Sequence, residues 1–198
     1  MMTEAPRFRR FTPEVRSAML VQAGIACLAR GGLSAFTIDN IAREAGVSRG
    51  LISHHFGGKD GLLTAVHAEA YRGFIDILAP DGGDPSLRDV LDRAFSEALF
   101  NRDTLKIWLA LWGEISVNPA LREEHRRCYD AYLDHVERAI AQHAAHAGCN
   151  LDAKALARPV VAVIDGLWLE AQIDPERLSP GKARAAALAL LEQALGPI

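Results

Sequence analysis

Thr37-Ile-Asp-Asn-Ile-Ala-Arg-Glu-Ala-Gly-Val-Ser-Arg-Gly-Leu-Ile-Ser-His-His-Phe-Gly-Gly-Lys59 is the stretch that decides how this chain folds. Thr37 is a natural N-cap, and Asp39 follows in the first turn, where a carboxylate suits the helix dipole. Ile41, Ala42 and Ala45 have the spacing of a buried helix face. Gly46 supplies a sharp turn, Ser48 can cap a second short helix, and Gly57-Gly58 breaks the chain before a helix that starts near Lys59. Ala42 lies four residues before Gly46, and its small side chain lets two helices cross closely. Ile41, Ala45, Val47 and Ile52 are spaced to lock that pair together.

Two short helices joined by a tight turn form a unit that sets its second helix in the major groove of double-stranded DNA. The exposed side of that second helix carries Ser48, Arg49, Gly50, Ser53 and His54. Arg49 can read guanine or pair with phosphate, and Gly50 permits close backbone approach. Thr37 and Lys59 stand at helix starts, where hydroxyl, amide and ammonium groups hold phosphate. His55 suits packing or a phosphate contact better than base reading. The competing reading is a helical hairpin used only for packing.

Outward from this unit, residues 1–11 read as a mobile basic arm, with Arg7, Arg9 and Arg10 among Phe8 and Phe11. A helix is expected from Thr12 to Arg30, capped by Thr12, with Pro13 and Glu14 in its first turn and Gly31-Gly32 ending it. Val15, Ala18, Met19, Gln22, Ile25, Ala26 and Ala29 fall near one face, with Gln22 the polar exception. The helix from Lys59 should run to about Leu78, followed by a loop over 79–85. Helical patterns then dominate at about 86–100, 103–117, 119–146, 152–173 and 180–195, with Pro159 expected to kink or split its helix. The expected fold is all-α: a DNA-binding head over 1–58 and a helical body over 59–198.

Composition sets bounds. The 198 residues are 49% hydrophobic and 24% charged, enough apolar material for a real core. Net charge is −3, but residues 1–60 hold eight Lys/Arg against five Asp/Glu, and the rest fourteen against twenty. A basic head on an acidic body suits contact with phosphate at one end only. No run of eighteen apolar residues or secretory leader is visible, and Cys27, Cys128 and Cys149 are scattered and odd in number, so a cytoplasmic protein with reduced thiols and no membrane partner is expected.

The residues Thr37, Ile41-Ala42, Ala45-Gly46-Val47-Ser48, Gly50, His55-Phe56, Lys59 and Leu62 or Leu63 resemble the TetR family of transcriptional regulators. Ser53 departs from the tyrosine common there. The resemblance covers about residues 12–65 and implies a homodimer with an all-helical C-terminal domain that binds a small effector and acts on operator DNA, most often as a repressor. Ile107-Trp108-Leu-Ala-Leu-Trp112-Gly-Glu114, Asn118-Pro-Ala-Leu121 and Ile164-Asp165-Gly-Leu-Trp168-Leu-Glu170 are similar to the branch that represses glycine betaine synthesis from choline. Ser53-His54 also fits that branch.

Trp108 and Trp112 share one helical face, and Asp165 and Trp168 share another. Indoles beside a carboxylate can cage a quaternary ammonium such as choline. The same spacing also serves core packing. Val160, Ile164, Leu167, Leu188, Leu191 and Leu195 are spaced for a two-fold four-helix interface or for an intramolecular core.

An enzyme is not expected. There is no Gly-rich phosphate loop, nucleophile elbow or paired Glu-x-x-His. No cofactor or metal is expected, although His143 and His146 have i,i+3 spacing. Cys128 and Cys149 read as structural thiols rather than redox sensors. A regulator of efflux or another pathway, sensing an unrelated hydrophobic ligand, shares these features. A helical ligand-binding protein without DNA function is the reading from a different class.

Overall fold

A computed structural model describes residues 12–198, so the basic arm of residues 1–11 lies outside the described residues. The described residues form nine α-helices and one 3-10 turn, with no strand. Thr12 caps α1 (Pro13–Ala35), its hydroxyl accepting from the Val15 N–H at 3.4 Å. Gly31 and Gly32 leave helical geometry, the latter at φ 60°, so regular α1 ends at the glycine pair and a separate turn runs to Ala35.

The face expected to point inward on α1 is not the buried one. Val15, Ala18 and Gln22 are exposed, whereas Leu20, Val21, Ala23, Gly24, Cys27 and Leu28 are buried. The helix is apolar on most sides, so periodicity cannot choose the face; the neighbours do. A Cβ on Gly24 would stand 2.6 Å from Val66 Cγ2 and 3.0 Å from the Phe36 ring, so only glycine admits α4 and Phe36 this closely. Among the described helices α1 has the length and apolarity of a membrane span; that apolarity serves packing on α2, α4 and α6.

Thr37 caps α2 (Ile38–Ala45) through the Asn40 N–H at 3.2 Å. Gly46, at φ 66°, ends it, with the Val47 N–H reaching the Ala42 carbonyl and the Gly46 N–H that of Arg43. This Schellman closure needs a left-handed residue, which glycine adopts without penalty. α3 (Gly50–Phe56) buries Ile52, and α4 (Lys59–Leu78) follows. The start of α4 packs on α1 and α3 through Leu62, Leu63 and Val66; its later turns pack on α5 and α7 through Phe74 and Leu78. One helix thus belongs to both the head and the body cores.

After a 3-10 turn (Pro80–Gly82), a Ser86–Asp89 capping box starts α5 (Leu87–Ala94). The helix stops at Ala94 rather than continuing to residue 100. The Ser96 hydroxyl donates back to the Arg93 carbonyl at 2.7 Å, a local bond that competes with helix propagation. Phe95, Leu99 and Phe100 fill the core from turns instead.

α6 (Arg102–Ile115) and α7 (Pro119–Ala147) carry asparagine caps, Asn101 and Asn118. α8 (Ala153–Ile173) runs through Pro159 as one element. Pro159 cannot donate to the Ala155 carbonyl, but both residues are exposed, so water can take up that acceptor. α9 (Pro180–Leu195) closes the body against α8 and α5.

Most residues expected at a two-fold interface lie inside the protomer. Val160, Ile164, Leu191 and Leu195 are buried, and Leu167 and Leu188 are half-buried against the core. Both helices are apolar on two sides, and the larger aliphatics face inward. The outward stripe is Ala162, Gly166, Leu169 and Ile173 on α8, with Ala186, Ala189 and Leu190 on α9.

Candidate DNA interface and effector cavity

Ser48, Arg49, Gly50, Ser53, His54 and Lys59 are all exposed at one end of the molecule, with Thr37 exposed at the start of α2. Ser48 does not act as a side-chain cap. Its carbonyl receives the Leu51 N–H at 3.1 Å, and α3 starts with no side-chain cap bond. Arg49 Nε lies 2.8 Å from Asp39 Oδ1. Both groups are well exposed, so this pair contributes little stability and orients the guanidinium across the α2–α3 corner. His55 is half-buried, its ring 6.2 Å from that of Phe56. Packing explains His55 better than base contact does. The helix-turn-helix therefore rests on a tightly closed corner with its polar side chains turned outward.

The body holds a narrow cavity of about 270 Å3, part of it open to solvent, in which only about 10 Å3 admits the centre of a water molecule. Trp108, Trp112, Asp165 and Trp168 line it together. Tyr71, Phe74, Tyr132 and Ile164 complete the wall, the last having been expected at a dimer interface. The rings stack edge to face: Tyr71 on Trp108 at 4.7 Å, Phe74 on Tyr132 at 4.9 Å and Phe74 on Trp168 at 5.8 Å. Trp168 Nε1 donates to the Ala94 carbonyl at 3.2 Å, fixing its indole to the end of α5.

Asp165 makes no hydrogen bond or ion pair among the described residues. Burial alone pushes its carboxyl up to about 7, because a charge there has lost water without gaining a counter-ion. The Tyr132 hydroxyl is buried without a hydrogen-bond partner. Beside the cavity, His67 is fully buried, its Nε2 3.4 Å from His125 Nδ1, which also lies 3.4 Å from the Tyr71 hydroxyl. Burial, then the His125 charge, pushes His67 down to about 4, so it is neutral at neutral pH.

Other hollows are open. One of about 1170 Å3 adjoins the narrow cavity and shares Trp112 and Asp165 with it, so these two side chains stand between solvent and cage. Another, about 1740 Å3, runs between α1, α4 and α7. It is laced by surface pairs such as Gln22–Glu69 at 3.1 Å and lacks the aromatic enclosure of the smaller cavity.

Tyr71, Phe74 and Tyr132 were missed in the sequence. Their signal was available: Tyr71 and Phe74 are three apart on α4, and Tyr129 and Tyr132 three apart on α7, the spacing that singles out Asp165 and Trp168.

Comparison with known proteins bears on both ends of the molecule. Residues 20–66 match the profile of the bacterial regulatory proteins of the tetR family, and residues 84–196 match that of the BetI-type transcriptional repressor, C-terminal. The chain belongs to the TetR family. The HTH-type transcriptional regulator BetI 2 of Chromohalobacter salexigens is 34% identical over 192 residues, covering 91% of this chain and 89% of that protein. A transcriptional regulator from Pseudomonas aeruginosa PAO1 superposes with a TM-score of 0.74 at 32% identity, over 95% of this chain and 94% of its own. A transcriptional regulator from Saccharomonospora viridis, solved in complex with choline, gives 0.73 at 25% identity, over 91% and 97%. This TetR-family, BetI-type regulator is therefore a DNA-binding transcriptional repressor and not an enzyme. Its partners are operator DNA and a small-molecule effector.

Proposed function

We propose that this repressor senses a small quaternary ammonium cation, choline first among them, and releases its operator when the cation enters the aromatic cavity. The observation that carries this reading is Asp165: a half-buried carboxylate without a counter-ion, set among three indoles. A cation there gains charge neutralisation and cation–π attraction together. The choline in the Saccharomonospora viridis regulator supports the same class of ligand.

Two cavity walls reach the head. α6 carries Trp108 and Trp112, packs on α1, and its Lys106 Nζ donates to the Ala29 carbonyl at 3.0 Å. α4 carries Tyr71 and Phe74 in its later turns and head-core residues in its earlier ones. The cavity is too narrow to hold a cation as it stands, so binding there parts these helices, and the head moves with them. Release follows only if the cation binds the released state better; a coupling of about 1–3 kcal/mol changes DNA affinity about 5–150-fold.

In the cytoplasm, two copies would pair through the outward α8–α9 stripe and read a roughly palindromic operator, each placing α3 in a major groove. The contact set on DNA is Thr37, Ser48, Arg49, Gly50, Ser53, His54 and Lys59. The test is operator release measured by fluorescence anisotropy during titration with choline or its uncharged carbon isostere, 3,3-dimethylbutanol. Choline should release DNA and quench tryptophan emission, and the isostere should do so far less. A protein that binds its operator but shows no saturable response to millimolar choline would end the cation reading.

A further inference from the structure

We infer that the Tyr132 hydroxyl reads the ligand: among quaternary ammonium cations, the cavity selects those that carry a hydrogen-bonding oxygen a short distance from the cationic head. This rests on the cation cage proposed above and adds a second recognition element to it.

Tyr132 is 2% exposed, and its hydroxyl is one of two buried side-chain polar atoms among the described residues that have no partner, the other being His67 Nδ1. An orphaned buried hydroxyl is costly, and proteins rarely keep one without a use. Two other polar groups of the wall are engaged: Trp168 Nε1 on the Ala94 carbonyl and the Tyr71 hydroxyl near His125. The Tyr132 ring is held edge to face against Phe74 at 4.9 Å and 87°, so its hydroxyl has a fixed place in the same enclosure as Asp165. Burial first, and then the nearby Asp165 charge, push its ionisation well above the ordinary tyrosine range. The group stays protonated and can donate to or accept from a ligand oxygen.

The enclosure therefore offers a carboxylate, aromatic faces and a neutral hydroxyl. A ligand that satisfies all three is a cationic ammonium with an alcohol or carbonyl on a short arm. An all-alkyl ammonium fills the aromatic faces and neutralises Asp165 but leaves the Tyr132 hydroxyl orphaned, which a site built for hydrogen bonding penalises.

Tryptophan fluorescence titration of the full chain with choline and with n-propyltrimethylammonium tests this, in the wild type and in Tyr132→Phe. The wild type should prefer choline about tenfold, the ratio that one ordinary hydrogen bond carries. Tyr132→Phe should weaken choline by about that factor and leave n-propyltrimethylammonium unchanged. Its ligand-free melting temperature should not fall, because the lost hydroxyl bonds to nothing. Equal affinities in the wild type, or an undiminished preference in Tyr132→Phe, would overturn the assignment of Tyr132 while leaving the cage intact. Absence of binding by both cations would overturn the cage and this inference together. Equal wild-type affinities for the two cations would overturn the inference even if the variant failed to fold.

Discussion

Replacing Asp165 by asparagine separates the charge of the cavity from its shape. In the ligand-free protein burial holds the carboxyl up to about 7 from an ordinary 3.8. Keeping it ionised above pH 7 then costs on the order of 4 kcal/mol, an upper bound that relaxation of the wall reduces. The folded state binds this proton more tightly than the unfolded one. The cost is therefore absent below about pH 4, grows as pH rises from 4 to 7, and is constant above. Asp165→Asn should raise the ligand-free melting temperature at pH 8 and leave it unchanged near pH 4.

Cation binding should show the opposite demand, because it needs the carboxylate. At pH 6 about a tenth of Asp165 is ionised. Wild-type affinity for choline should thus be about tenfold weaker at pH 6 than above pH 8, with a proton released on binding. Asp165→Asn should bind choline about thirtyfold more weakly at pH 8, roughly the 2 kcal/mol of one partly screened charge pair, and with no dependence on pH. Isothermal titration calorimetry at several pH values, in buffers of different ionisation enthalpy, reads affinity and proton release together. Equal wild-type affinities at pH 6 and pH 8, or a pH slope that survives in the asparagine variant, would refute the reasoning.

Lys59→Ala should weaken binding to all DNA sequences alike and reduce the salt slope by about one, whereas Arg49→Ala should also relax base choice; binding isotherms at several salt concentrations separate the two. Leu190, 53% exposed, should tolerate aspartate with a change in protomer stability of about 0.5 kcal/mol or less. Sedimentation of Leu190→Asp should show folded monomer, and a persisting dimer would place the interface elsewhere. Lys106→Met removes the bond from α6 to the Ala29 carbonyl; choline should still bind, while the operator release it causes shrinks about fivefold. Unchanged release in that variant would route the signal through α4 alone.

The head was legible because backbone chemistry specifies it. Thr37 has few better uses than capping, and Gly46 is needed wherever a left-handed turn closes α2. The buried face of α1 was not legible, because its apolar residues surround most of the helix and only the close approach of Val66 and Phe36 at Gly24 selects a side. The same ambiguity misplaced Val160, Ile164, Leu191 and Leu195. A stripe of aliphatic residues looks alike whether it meets its own chain or a second copy, and burial assigns these four to the protomer. The end of α5 at Ala94 depends on one hydroxyl turning back at Ser96, a choice that composition does not announce. In the cavity, Trp108, Trp112, Asp165 and Trp168 stood out by their helical spacing. Tyr71, Phe74 and Tyr132 share that spacing within their own helices, but spacing along one helix does not reveal that helices far apart in the chain converge.

The narrowness of the cavity also has a bearing on time. With almost no room for even one water molecule between its walls, the ligand-free cage does not admit a cation, which can wait only in the open hollow beside it. Occupation must wait for a spontaneous opening, so the observed association rate will climb with concentration only until it meets the opening rate, and then level off. Departure waits on the same event. A repressor built this way averages its signal: excursions of the effector briefer than one opening pass unnoticed, and a sustained rise is answered at a pace set by the protein.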